Sequence, residues 1–291
     1  MFNLFKYSDK ETPLPNSRLG QFGYILRFHW RSLALLSTLT SLFAVPLVVW
    51  MYWSTMANSA LYAKLLSLTD YAQKVELATQ LKGQMLFNGL VYIPLTAVAF
   101  VGLGGCAQCI KMYAKRQIVF VSQCFWRGVK QHFWGSFVTG ALYASAVCAV
   151  LCSDLFFGTE WWWNVVGTLA LAVVSIFVSY CFVLNVFYKQ SLKALLLNAT
   201  ALTFVRFPQN ALALALSMIT VWLVVFLPSV LGVTLCVIVN LVIGIGYSTL
   251  IIVLNAFSAF DKYINKTQYP SLYREGLQNN SDAVTAEGAN A

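Results

Sequence analysis

The chain has 291 residues, of which 59% are hydrophobic and only 10% charged, and its formal net charge is +9. Soluble domains carry about 25% charged residues, so a water-soluble protein of this length is excluded, because too little polar surface would remain to cover it. The run from Ala211 to Phe260 contains no charged side chain, and at about 20 residues per crossing it is long enough for two membrane helices. The fold class that follows is all-α and polytopic, since backbone polar groups in hydrocarbon must be satisfied within a helix or a closed barrel.

In chain order, residues 1–31 carry Lys6, Lys10, Arg18, Arg27 and Arg31 ahead of any long apolar run. They lack a signal-peptide cleavage pattern, which predicts an N-terminal segment followed by an uncleaved first membrane helix. Uncharged runs then predict six spans, at 32–56, 85–110, 133–157, 164–188, 211–228 and 229–260, forming one membrane domain. Residues 261–291 read as a polar, disordered tail.

Between the first two spans, Leu61, Leu65, Leu68, Ala72 and Val75 recur at helical spacing. They predict an amphipathic helix that extends beyond the bilayer or lies on it. Ile118, Val121, Phe125, Val129 and Phe133 form a similar stripe before the third span, and residues 189–206 read as a further short helix. Basic amphipathic helices bury their apolar face among lipid headgroups, so both segments are expected in the interface plane. Docking to a protein partner is the competing reading.

Orientation follows from Lys and Arg, which collect in short cytoplasmic segments. Sixteen lie on the side of the termini and three, Lys64, Lys74 and Lys82, on the other. Both termini are therefore expected in the cytoplasm. The same asymmetry accounts for the net charge as topology and attraction to anionic lipid, with no nucleic-acid partner implied. Trp50, Trp53 and Trp161 to Trp163 fall at outer boundaries, and Trp30, Trp126 and Trp134 at inner ones, as aromatic belts do. A sugar-stacking role for Trp161 to Trp163 beside Asp154 and Glu160 is the sharper alternative.

Chemistry-bearing groups are sparse. The ten carboxylates and both histidines fall outside the predicted membrane core, where an ion-coupled transporter usually places one. His29 and His132 read as interfacial hydrogen-bonding groups. Cys106 and Cys109 form a lone C-x-x-C, and zinc needs about four ligands, so this motif and the Cys148 and Cys152 pair read as packing residues. No cofactor, metal site or catalytic set is expected. Pro46 and Pro94 are expected to bend the first two helices, and Gly102, Gly104 and Gly105 to allow close helix approach. Asn88, Asn185 and Asn240 are expected to bond across helices. Asn88 and Asn240 with Pro46 and Pro94 would alternatively line a polar path.

Ile93 and Pro94 through the Gly-rich turn to Lys111, then Phe125, Trp126, Arg127, Lys130 and Phe133, resemble the YesL-like family of bacterial integral membrane proteins. So do Ser191 to Asn198 and Phe260 to Tyr263, and the resemblance spans most of residues 18–263. Two departures are Cys124, where that family often has Asp, and His132, where Asn is common. The resemblance implies a bacterial inner membrane and a non-enzymatic accessory or regulatory role beside a carbohydrate transport system. Its partners would be the bilayer and a transporter subunit, contacted through Phe125, Trp126, Arg127, Lys130 and Lys193. A small transporter or channel for neutral solutes is the alternative reading, and a membrane-embedded enzyme acting on lipid or lipid-linked sugar a third.

Overall fold

A computed structural model describes residues 15–157, 161–226 and 230–277. Glu160, Pro228 and Ser229, and the polar tail from Asn279, lie outside the described residues. All regular elements among the described residues are helical: α1 (Arg18–Phe28), α2 (Trp30–Ser67), α3 (Tyr71–Ala114), α4 (Val121–Phe157), α5 (Trp161–Phe187), α6 (Leu192–Val205), α7 (Phe207–Ser217), α8 (Ile219–Phe226), α9 (Val230–Val239) and α10 (Ile245–Phe260). A π turn, Asn240–Gly244, joins α9 to α10; a second, Asp261–Asn265, follows α10 and leads into short helical turns at Lys266–Gln268 and Pro270–Leu272, so the segment read from sequence as a disordered tail begins with ordered turns. Five helices are long and apolar enough to cross a membrane: α2, α3, α4, α5 and the continuous run that contains α10.

The segment predicted as the fifth span is instead broken into α7 and α8 at Met218, whose backbone turns to φ −90° and ψ 6°. Ser217 Oγ folds back onto the Leu214 carbonyl, and the Ser217 carbonyl accepts from Ser248 Oγ of α10. These bonds take up groups that an unbroken helix would pair internally.

α2 and α3 are far longer than a crossing requires. With 38 and 44 residues, they extend about 57 and 66 Å at 1.5 Å per residue, against hydrocarbon about 30 Å thick. The stripe from Leu61 to Val75 is therefore not one helix, since it is split between the end of α2 and the start of α3. Asp70 causes the turn, as its carboxylate accepts from the Ala72 N–H and caps α3. Leu77 and Leu81 are buried in this hairpin, while Ala72 and Val75 stay exposed.

The segment 118–133 is likewise not a separate interfacial helix. From Val121 onward it forms the first turns of α4 and runs unbroken into the predicted third span, with Ile118 in the coil that precedes it. Its apolar stripe divides accordingly: Phe125 and Val129 are buried against α3, and Ile118 and Phe133 are exposed.

Glycines explain the α3–α4 seam. A Cβ at Gly105 would sit 2.8 Å from Val129, at Gly128 2.6 Å from Gln108, and at Gly140 2.6 Å from Phe100. Lipid tails give no hydrophobic drive between helices, so close backbone approach is what holds such pairs together. Across the bundle, Gly246 packs on the Leu33 carbonyl and its N–H donates to Ser37 Oγ at 2.8 Å, tying α10 to α2.

The described ends of the chain meet at one end of the bundle. Ser17 caps α1 by accepting from the Gly20 N–H, and α1 lays Arg18, Gln21 and Ile25 into the core. Residues 1–31, set apart from the membrane domain as an N-terminal segment in the sequence reading, contain α1, which packs along α10.

Candidate functional site

Two adjoining polar features lie at the end of the bundle where α3, α5 and α10 finish. The first is a buried clasp. Arg18 donates through Nε and Nη2 to Asp261 Oδ2, at 2.9 and 2.7 Å, and through Nη1 to Gln21 Oε1 and the Glu275 carbonyl. Its guanidinium also lies 3.6 Å from the Phe257 ring centroid. Asp261 Oδ1 accepts from Asn265 Nδ2 at 2.9 Å, and Asn265 Oδ1 accepts from the Tyr188 hydroxyl. Gln21 Nε2 donates to the Ala114 carbonyl at the end of α3.

Each of these polar groups is buried and partnered, as an interior of low dielectric demands. Burial lowers the Arg18 pKa from its ordinary value, and the Asp261 carboxylate opposes that shift. The Tyr188 phenol is pushed up, first by burial and then by the Asp261 charge. A second pair, Lys115 with Glu275 at 2.7 Å, is more exposed. The backbone fits the seal: Gly276 has φ +81°, and a Cβ there would lie 2.1 Å from the Ala114 carbonyl oxygen, so only glycine can close the chain over α3.

The second feature is a cavity of about 760 Å³ between α3, α4, the end of α5 and the start of α6. α3 contributes Gln108 and Lys111, α4 Gln131 and His132, α5 Asn185, and the following turn Tyr188, Lys189 and Gln190. Gln108 and Lys111 are three residues apart and share a helix face. Lys111 Nζ donates to the Val186 carbonyl at 2.8 Å and lies 5.1 Å from the Phe187 ring centroid. That carbonyl is one of the last four of α5, which have no partner within their own helix, so the lysine caps the negative end of the helix dipole. His132 lies within reach of the Asn185 backbone carbonyl. No carboxylate lines the cavity, and Glu275 is paired with Lys115.

Three polar side-chain atoms at this seam are buried without a hydrogen-bond partner: Gln108 Oε1, Asn185 Nδ2 and Ser136 Oγ. Asn185 is therefore not bonded across helices by its amide nitrogen; the amide fills the space beside Gly135, whose added Cβ would lie 2.1 Å from Nδ2. Tyr188 belongs to both features, lining the cavity and closing the clasp through Asn265.

The residues singled out in the sequence are dispersed. Trp126, Arg127, Lys130 and Lys193 are exposed on α4 and α6, while Phe125 is fully buried in the core. Asn88 Nδ2 donates to Asn58 Oδ1 of α2 at 3.3 Å, beside a second, mostly apolar cavity of about 560 Å³ between α2, α3 and α4. Asn240 accepts from Thr220 of α8 at 2.9 Å and donates to the Cys236 carbonyl within its own helix. Gly244 packs on Asn240 Oδ1. Asn240 does not line the cavity beside Asn88, and Pro46 and Pro94 lie inside unbroken α2 and α3. Trp163 Nε1 donates to Ser153 Oγ at 2.9 Å, and the side chains of Asp154 and Trp161 lie outside the described set. Cys109 associates with Cys124 across the α3–α4 seam, and Cys148 with Cys152 at 3.8 Å.

Sequence reading missed a third buried cluster. Asn210 of α7 accepts at Oδ1 from both the Tyr180 hydroxyl and Asn255 Nδ2, at 2.7 and 3.0 Å, joining α5, α7 and α10. Its Nδ2 returns to the Leu202 and Thr203 carbonyls. A signal existed in Asn255, a lone amide inside a charge-free apolar run. Gln108 was legible in the same way, one turn before Lys111.

Compared with protein families, with curated proteins and with solved structures, the chain matches none.

Proposed function

We propose that the chain is a non-enzymatic, multi-pass protein of the bacterial inner membrane that acts as an accessory or regulatory partner of a carbohydrate transport system. On this reading the end of the bundle that carries the clasp faces the cytoplasm, in keeping with the sixteen Lys and Arg on that side. The observation that supports a partner role most directly is the exposure of Trp126, Arg127 and Lys130 along α4 and of Lys193 on α6. All four side chains are exposed, and none of the three cations has a carboxylate partner among the described residues. A large aromatic beside unpaired guanidinium and ammonium groups is the composition of protein contact surfaces, where Trp and Arg dominate. Phe125 has no direct part in it, since its ring braces α4 against α3.

Photo-crosslinking in native membranes from positions 127 and 193 tests the proposal. Capture of a transporter subunit from both sites supports it, and capture of lipid alone refutes it. The neutral-solute path is favoured by one observation, the unpartnered Asn88 Oδ1 beside the 560 Å³ cavity. Solute flux in proteoliposomes that is unchanged in Asn88→Leu would remove that reading.

A further inference from the structure

We propose that the cavity between α3, α4 and the end of α5 binds a small organic phosphate that carries hydroxyl groups. Its size falls within the range of about 300 to 1,000 Å³ usual for ligand pockets, at about 760 Å³. Its wall holds Lys111, Lys189 and His132 and no carboxylate, which selects against cations and for an anion. Lys111 uses one of its three N–H donors on the Val186 carbonyl, so donors remain for an oxyanion. Asn185 Nδ2 is a buried donor with no partner.

The hydroxyl requirement comes from the opposite polarity. Gln108, a residue of the cavity wall, is 93% buried, with a relative exposure of 7%, and its Oε1 has no hydrogen-bond partner. The dianion of a phosphate monoester carries no proton of its own, so a separate alcohol on the same ligand is what would donate to this carbonyl. Leaving such a group unpaired costs about 1–3 kcal/mol, so a ligand that supplies the missing donor is preferred over one that does not. Orphan donor, orphan acceptor and cations together describe a polyol phosphate. The same chemistry is carried by soluble species such as glycerol 3-phosphate and by the headgroup of phosphatidylglycerol. Tyr188 connects the site to the Arg18–Asp261 clasp through Asn265, so occupancy would also stabilise the junction of the chain ends.

The test is equilibrium binding to the full chain in a neutral detergent without a sugar headgroup, using glycerol 3-phosphate, methyl phosphate and glycerol. A parallel arm compares phosphatidylglycerol with phosphatidylcholine nanodiscs by thermal unfolding. Glycerol 3-phosphate is expected to bind more tightly than methyl phosphate, and glycerol not at all. Lys111→Gln should weaken glycerol 3-phosphate binding by about tenfold or more, the size of one charge-assisted hydrogen bond. Gln108→Leu should weaken glycerol 3-phosphate but leave methyl phosphate, whose dianion has no hydroxyl, unchanged. Lys189→Gln, at an exposed position that does not threaten folding, should weaken both. A stabilisation seen only with phosphatidylglycerol, and lost in Lys111→Gln and Lys189→Gln, assigns the site to the lipid headgroup. Absence of binding in both arms, or binding indifferent to Lys111→Gln and Lys189→Gln, overturns the proposal. Its failure leaves the crosslinking result at positions 127 and 193 untouched.

Discussion

The clasp between Arg18 and Asp261 makes a quantitative prediction. The two side chains retain only 6% and 11% exposure, so removing one charge strands the other in a medium that cannot solvate it. For such pairs the loss of one partner costs about 3–5 kcal/mol, whereas removing both charges is far cheaper. Arg18→Met should therefore destabilise the folded protein by about 3–5 kcal/mol. Asp261→Asn should cost less, because an amide Oδ1 still accepts from Asn265 Nδ2 and the Arg274 N–H. The double variant, with no buried charge, should be more stable than the two single losses add up to, by about 0.5–3 kcal/mol. The assay is reversible unfolding in mixed micelles followed by tryptophan fluorescence, repeated at low and high salt. Burial shields the pair from screening, so the coupling should not depend on salt. Additivity within about 0.5 kcal/mol would refute the reasoning, as would a coupling that disappears at high salt.

Further predictions follow from single positions. Gly135→Ala should cost about 1–3 kcal/mol through overpacking, since its Cβ would collide with the Asn185 amide. Gly83→Ala, which meets nothing within 4 Å, should gain about 0.5–1 kcal/mol from helix propensity; equal effects at the two sites would contradict the packing. Tyr188→Phe removes one buried hydrogen bond to Asn265 and should cost about 1 kcal/mol at neutral pH. The folded state raises the Tyr188 pKa, so the stability due to the protonated phenol is complete below the unfolded value of about 10. It is lost as the pH rises through the folded value, and the advantage of the natural chain over Tyr188→Phe should shrink only above about pH 10. An advantage constant to pH 12 in unfolding titrations would count against this. Truncation before Asn279 should leave membrane insertion and unfolding midpoint unchanged, and loss of expression would contradict the reading of that segment as a solvated tail.

Much of the architecture was written in composition. An uncharged run such as 164–188 has one low-energy conformation in hydrocarbon, because water is absent and the backbone must pair within itself, and α5 occupies that run almost to the residue. Gly104 and Gly105 were likewise legible, since a missing side chain in a membrane helix is useful where a neighbour's backbone comes close. Hydropathy does not carry helix ends or breaks. α2 and α3 continue past the bilayer because Asp70 caps a tight hairpin, and the run 211–228 breaks at Met218 because Ser248 and Ser217 supply alternative partners for its backbone. Both depend on polar atoms that cost nothing on a hydropathy scale until a tertiary neighbour receives them.

The sites divide along the same line. Sequence alone determined that most Lys and Arg fall in a few segments between the apolar runs, that both histidines adjoin such segments, and that lone amides such as Asn88, Asn185 and Asn240 need an explanation. Only the tertiary structure decided which of these meet. Arg18 and Asp261 are 243 residues apart in the chain and form one ion pair. Gln108, Lys111, His132 and Asn185 come from three helices and share one wall. Phe125, adjacent in sequence to the exposed Trp126, is sealed in the core. The physical reason is that charge and hydropathy are properties of single residues, whereas a desolvated pair, an orphaned carbonyl or a cavity exists only in the relative placement of several, fixed here by glycine-sized gaps between helices.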